Sequence, residues 1–317
     1  MPWLTPYPVL VWAVVALGTA VFLWFLPPKN KLAIYLSLVA YAALNLFFFL
    51  TVNWLAVYYY LRFVPVLFLI VFFFRLRGEL KGRPFLPRRS LVDWVYVVAG
   101  LAILAASGYL DYRVLRSYIN EGDHVLMLLP LRSGAYVVVN GGNGLEGWGM
   151  NNYIHDWLGS ETEGDLSKAF ALDIVEMTVR GFMGKGVPPK SHLDYEGFGD
   201  VLYSPCMGVV LYVEDGYPDL DVGDQPETDL GNHVVIQCDR FYITLAGFQK
   251  NTIDVEPGEN ISFFRWLGRM GSSGYPPIPH LHLYATIGGV TGEAVPIYFE
   301  GLSVVDRFVV RNKVFIR

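Results

Sequence analysis

The sequence predicts a chain in two parts, a multi-pass α-helical membrane anchor followed by an all-β sandwich or open barrel, and three observations predict it. Residues 8–110 are an almost unbroken run of Leu, Val, Phe, Ala, Tyr and Trp. Residues 111–317 hold most of the acidic residues and most of the glycines. In that second region the apolar segments are short and are separated by clusters such as Asn140-Gly141-Gly142-Asn143-Gly144 and Glu214-Asp215-Gly216-Tyr217-Pro218. Long apolar runs suit a bilayer, which needs roughly 20 apolar residues per helix. Short runs broken by turn residues suit strands. The hydrophobic content of 53% and the mean hydropathy of +0.37 therefore average two regions with different solvents.

Four spans are predicted, over 8–26, 32–51, 54–74 and 91–109. The first stops at Pro27-Pro28, and only Val52-Asn53 separates the second from the third, which implies a tight helical hairpin. The fourth contains Asp93, Gly100, Ser107 and Gly108. The loop 75–90 carries Arg75, Arg77, Lys81, Arg83, Arg88 and Arg89 against the single acid Glu79. Lys29 and Lys31 lie between the first two spans, and no basic residue lies between the second and third. Because Lys and Arg in short loops stay on the cytoplasmic side, both termini and everything after Tyr109 are expected to be extracytoplasmic. The stretch 1–8 has no basic residue, so the first span reads as an anchor and not as a cleaved signal peptide. Arg62 reads as snorkelling to the outer interface and Asp93 as an interfacial residue at the inner end.

The net charge of -5 comes from the second region and gives no basic field for nucleic acid. A polar linker over 111–121 is expected to leave the membrane. Strands are expected over 124–129, 135–139, 169–174, 207–213, 233–238, 241–245, 281–285 and 308–316. A tight turn at Asp239-Arg240 would set Cys238 opposite Phe241 and His233 opposite Ala246. Two cysteines, Cys206 and Cys238, are too few for a cysteine-rich zinc cluster; they suit one disulfide in an oxidising compartment or a pair of buried thiols.

The stretch Pro279-His280-Leu281-His282-Leu283 carries the strongest chemical signal. In a strand the side chains alternate, so His280 and His282 share one face while Leu281 and Leu283 share the other. That spacing suits a zinc site in which one imidazole binds metal and the other acts as base or hydrogen-bond donor; two of six histidines falling so by chance is the competing reading. Asp173 interrupts the apolar stretch Ala169-Phe170-Ala171-Leu172-Asp173-Ile174-Val175. A buried carboxylate is costly unless it is paired or metal-bound, which makes Asp173 a candidate ligand, with a structural salt bridge as the alternative. His155, in Asn151-Asn152-Tyr153-Ile154-His155-Asp156-Trp157, is the candidate third ligand or else an exposed loop residue. His124 and His192 read as surface residues.

Five segments extend the pattern: Tyr203-Ser204-Pro205-Cys206-Met207-Gly208, Gly231-Asn232-His233-Val234-Val235-Ile236, Asn251-Thr252-Ile253-Asp254-Val255-Glu256-Pro257-Gly258, Leu267-Gly268-Arg269-Met270-Gly271-Ser272-Ser273-Gly274 and Pro279-His280-Leu281-His282. In this order they resemble the lysostaphin-type (LytM-like) zinc metallopeptidase domain, over residues 142–285. The resemblance implies a β-sandwich around an open groove, zinc as cofactor and cleavage of peptide crosslinks in peptidoglycan. It implies Asp173 and His282 as zinc ligands and His280 as the catalytic or oxyanion-polarising histidine.

Two departures accompany it. The family pattern His-x-Gly-x-Asp is met here by Ala169-Phe170-Ala171-Leu172-Asp173, so Ala169 stands where a histidine is expected and His155 is the nearby replacement. A Leu-Ala-His-Leu type of segment is met by Leu245-Ala246-Gly247-Phe248, and Gly247 has no side chain to donate. His233, opposite Ala246, would face away from position 247. The resemblance therefore implies one of two functions. The first is a membrane-anchored extracytoplasmic zinc metalloendopeptidase with a peptidoglycan or other peptide as substrate. The second is a weakened pseudo-peptidase that binds wall peptide or a partner hydrolase and regulates it. The lipid bilayer is a partner in both.

Overall fold

The computed structural model describes residues 7–87, 91–155, 165–301 and 308–316. Arg88 and Arg89 of the basic loop, Asp156 and Trp157 of the histidine-bearing loop and most of the leading stretch 1–8 lie outside the described residues.

Four helices form the first region: α1 (Tyr7–Phe25), α2 (Lys31–Thr51), α3 (Val64–Glu79) and α4 (Leu91–Arg116). Four segments, the third counted from Tyr59, are long and apolar enough to cross a membrane by length and composition. Asn30 starts α2 by accepting the Ala33 amide on its side chain at 2.8 Å, which satisfies one of the orphan donors of a helix N-terminus.

The third helix departs from the expected hairpin. Two 3₁₀ turns, Trp54–Ala56 and Tyr59–Phe63, follow α2, and α3 begins only at Val64. Proline lacks an amide hydrogen and disrupts a helix interior, so Pro65 sits in the first turn of α3 instead of midway along a helix from 54 to 74. α4 also outruns its expected end at 109 and absorbs most of the segment read as a linker. Leu110 and Val114, four residues apart and so on one helix face, pack with Trp54, Met150 and Val310.

Thirteen strands follow: β1 (Val125–Met127), β2 (Ala135–Asn140), β3 (Leu172–Glu176), β4 (Val201–Tyr203), β5 (Gly208–Glu214), β6 (His233–Cys238), β7 (Phe241–Ala246), β8 (Asn260–Ile261), β9 (Trp266–Arg269), β10 (Leu281–Ile287), β11 (Glu293–Val295), β12 (Ile297–Phe299) and β13 (Val314–Ile316). Nine of them make one antiparallel sheet in the order β13-β2-β3-β10-β7-β6-β5-β8, with β11 on β10. Two small ribbons, parallel β1–β12 and antiparallel β4–β9, flank it. Leu172, Ile174, Ile236, Ile243, Leu281 and Leu283 share the main core. The β6–β7 hairpin turns at Asp239, with φ of 56°, and pairs Cys238 with Phe241 and His233 with Ala246. Cys206 and Cys238 form a disulfide 32 residues apart in sequence.

Three expected strands are shortened, the first being 124–129, which is a strand only over Val125–Met127. The run 169–174 is a strand only from Leu172, because Ala169 closes the 3₁₀ turn Leu166–Lys168. The run 308–316 is a strand only from Val314, because Asn312 takes a φ of 65° and the side chains of Arg311 and Asn312 are spent on the helices.

Those side chains close the C-terminal end of α2, where the last carbonyls of a helix lack intrahelical partners. Arg311 Nη1 donates to Thr51 O at 2.7 Å, and Asn312 Nδ2 donates to the carbonyls of Leu50 and Val52 at 3.0 Å each. Arg62 completes the junction and corrects the snorkelling reading. It is 7% exposed, donates to Tyr59 Oη at 2.8 Å and to Asn312 O at 3.2 Å, and lies over the Phe49 ring. His192 is also not a bare surface residue, since its Nδ1 lies 2.8 Å from Asp221 Oδ1.

At the outer end of β3, Glu176 shares a hydrogen bond with Asp200, whose Oδ2 accepts from Tyr136 Oη at 2.8 Å. Burial first, then the Asp200 carboxylate, push Glu176 up to about 8 from an ordinary 4.5. The folded state thus holds a proton that the unfolded chain has released, so stability is greatest below the ordinary value and falls as pH rises through about 8. Glu176→Gln is expected to flatten that fall, measured as the thermal midpoint across this pH range; an unchanged slope would remove Glu176 as its source.

Candidate site around Asp173, His280 and His282

β10 lies between β3 and β7, and its register sets His282 directly across from Asp173 on one side and Ala246 on the other. Residues opposite each other in an antiparallel pair point to the same face, so the topology itself brings the imidazole to the carboxylate. Leu281 and Leu283 point into the main core. His280 and His282 are buried on the other face, at 1% and 4% exposure, with Asp173 at 0%.

His282 Nδ1 lies 2.7 Å from Asp173 Oδ1, and His280 Nε2 lies 3.9 Å from the same oxygen. His280 Nδ1 is 2.7 Å from the Ile278 carbonyl, which can only accept. That contact puts the ring proton on Nδ1 and leaves Nε2 as a buried atom without a partner. Burial pushes the His280 pKa down, more strongly than Asp173 lifts it. Burial would raise Asp173 as well, but the His282 imidazole, aided by His280 and the Tyr153 hydroxyl, holds it below the usual carboxylate value.

The fourth member of the cluster is Tyr153, which the sequence reading passed over in favour of its neighbour. Its Oη is 3.2 Å from each Asp173 oxygen and 3.0 Å from His282 Nδ1. Burial, then Asp173, push its pKa well above the ordinary range for a phenol. Asn151 shapes this loop: its Oδ1 accepts the Tyr153 amide at 3.0 Å, while its Nδ2 donates to Ala169 O at 2.8 Å. His155 turns Nδ1 to the Ile154 carbonyl at 2.9 Å. The structure therefore gathers Asp173, His280, His282 and Tyr153, and His155 is not among them.

Arg311 is the buried cation of this neighbourhood. Besides Thr51 O it donates to Gly149 O at 2.6 Å and to Asn140 Oδ1 at 3.2 Å, and Asn140 pairs with Asp173 across β2 and β3. Burial brings its guanidinium down to about 9, against the opposing pull of Asp173. A lone arginine inside Phe308-Val309-Val310-Arg311 was the sequence signal for it.

Zinc requires a third protein ligand beside Asp173 and His282. Among the described residues no group of three or more His, Cys, Asp or Glu is placed to hold a metal ion. Ala169 is fully buried against Ile154 and Phe170 and offers no side-chain donor. The described residues thus do not fit the zinc set that the resemblance implies. Gly247 is fixed in the same sense: its φ is 86°, and a Cβ there would lie 2.3 Å from the His280 carbonyl oxygen. His233 Nδ1 is engaged with Gly231 O at 2.7 Å, and its ring lies against Tyr212.

No protein-family description matches the chain, and no curated protein matches it. Among solved structures it is similar to a mutant catalytic domain of the prophage-encoded M23 protein EnpA from Enterococcus faecalis, at 17% identity and a TM-score of 0.31, over 46% of this chain and 85% of that one. It is similar to a zinc-containing peptidase from Vibrio cholerae, at 15% identity and a TM-score of 0.32, over 52% of this chain and 37% of that one. It is also similar to lysostaphin from Staphylococcus simulans, at 15% identity and a TM-score of 0.26, over 40% of each chain.

Proposed function

We propose that the chain is a catalytically weakened, peptidase-like protein that binds a peptide of the peptidoglycan type without turning it over. In this reading α1 to α4 anchor it in the cell membrane and the β-sheet region lies on the extracytoplasmic side, with the loop 75–90 inside. Gly247 carries the proposal. Position 247 is where the resemblance implies a second catalytic histidine, and its positive φ and its contact with the His280 carbonyl leave no room for any side chain. Loss of one oxyanion donor typically costs about a hundredfold to a thousandfold in rate, and Ala169 removes a metal ligand as well. Regulation of a partner hydrolase is the use to which such a binding domain lends itself.

One observation favours the competing peptidase reading: His280 Nε2 is buried, unpartnered and 3.9 Å from Asp173, as a group awaiting a substrate would be. Full-length protein in detergent, mixed with a fluorescent crosslinked wall peptide, separates the two. Binding without cleavage products is the expected result. Cleavage that His280→Ala abolishes would establish the peptidase instead.

A further inference from the structure

We infer that the Tyr153 hydroxyl stands in for the metal ion, so that the Asp173–His282 site is closed and metal-independent. This deepens the non-hydrolytic reading and rests on it, but a metal measurement tests it where binding and turnover test that reading.

The geometry carries the inference. Tyr153 Oη is equally far, 3.2 Å, from the two Asp173 oxygens and is 3.0 Å from His282 Nδ1. An oxygen nearly equidistant from both Asp173 oxygens and His282 Nδ1 lies at the focus of those three atoms, where a metal shared through them would approach both residues. A zinc ion there would need the hydroxyl to leave, since it takes its ligands at about 2.0–2.2 Å.

Donor accounting agrees. The carboxylate of a fully buried Asp173 needs hydrogen-bond donors. His282 Nδ1–H donates to Oδ1 at 2.7 Å and the phenol O–H donates to the same carboxylate. The carboxylate is thereby satisfied by the protein alone.

The phenol is also held in place. The Asn152 amide donates to Asn140 Oδ1 at 2.8 Å, which ties the loop to the strand beside Asp173. Asn151 links the amide of Tyr153 to the carbonyl of Ala169. One side chain thus joins the residue that lacks the expected imidazole to the residue that supplies the hydroxyl. Tyr153 compensates the departure at Ala169: a missing histidine leaves Asp173 and His282 one partner short, and the hydroxyl is that partner.

The test uses full-length protein stripped with chelator, dialysed against zinc and assayed for bound metal, with folding checked by circular dichroism. Wild type is expected to hold no stoichiometric zinc and to melt at the same temperature with and without chelator. Tyr153→Phe combined with Ala169→His is expected to acquire zinc at least about tenfold more tightly than Ala169→His alone. Stoichiometric zinc in the wild type, or a folded double variant that binds no more zinc than the wild type, overturns the inference. Should Ala169→His prevent folding, Tyr153→Phe decides: zinc retained above the wild-type level supports the inference, and a folded variant that retains no more than the wild type overturns it.

Discussion

Arg311→Met is expected to destabilise the protein by about 3–5 kcal/mol, because it strips the donor from several buried acceptors at once. Methionine replaces the aliphatic stem of arginine and keeps its apolar packing, so the loss isolates the guanidinium. Thr51 O, Gly149 O and Asn140 Oδ1 would each lose a donor, and a buried acceptor left without one costs about 1–3 kcal/mol. The charge of Asp173, which acts on the guanidinium, would also lose that counterpart. Arg311→Lys keeps the charge without the planar fork and should fall between wild type and Met. Chemical denaturation of the full-length protein in detergent checks the series. A loss below about 1 kcal/mol for Met would show that the junction contributes little.

Gly247→His is expected to be the second severe change, although it supplies a residue that the resemblance implies. A left-handed backbone costs a side-chain-bearing residue about 1–2 kcal/mol. The collision with the His280 carbonyl, just ahead of β10, must then be relieved by moving the backbone that leads into that strand, at a further cost of about 1–3 kcal/mol. The measurable outcome is a lowered thermal midpoint with no gain in peptide cleavage. A variant as stable as wild type that cleaves wall peptide would show that β10 accommodates the ring, and would reopen the peptidase reading.

The parts of the site that were legible in the sequence are those set by local alternation. His280 and His282 on one face follow from a period of two, and the β6–β7 register follows from the turn at Asp239-Arg240. Tyr153 was not legible. It reaches His282 across 129 residues, and nothing in Asn151-Asn152-Tyr153-Ile154-His155 ranks a phenol above an imidazole as a partner for a carboxylate. Only the fold shows which of the two points inward. Arg311 and Arg62 were misjudged or missed for a related reason: each bonds a carbonyl distant in sequence, Arg311 that of Thr51 and Arg62 that of Asn312, a role that leaves no periodic trace. Strands β8, β9, β11 and β12 span two to four residues, too few for an alternation to register. The end of α2 was sound, whereas the start of α3 depended on Pro65 being confined to a first turn.

The junction at the end of α2 bears on how the chain can be made and divided. The carbonyls of Leu50 and Thr51 emerge early in synthesis, yet their donors lie 262 and 260 residues further on. The helical region is therefore finished by residues made much later, and the two regions mature together and not as beads on a string. Cutting after Arg116 would yield one piece with open carbonyls and another whose Arg311 has lost Thr51 and keeps only Gly149 and Asn140 as acceptors. The β-sheet region is a lid seated on its own foundation, and its position over the helices is fixed by hydrogen bonds and not by the length of a tether.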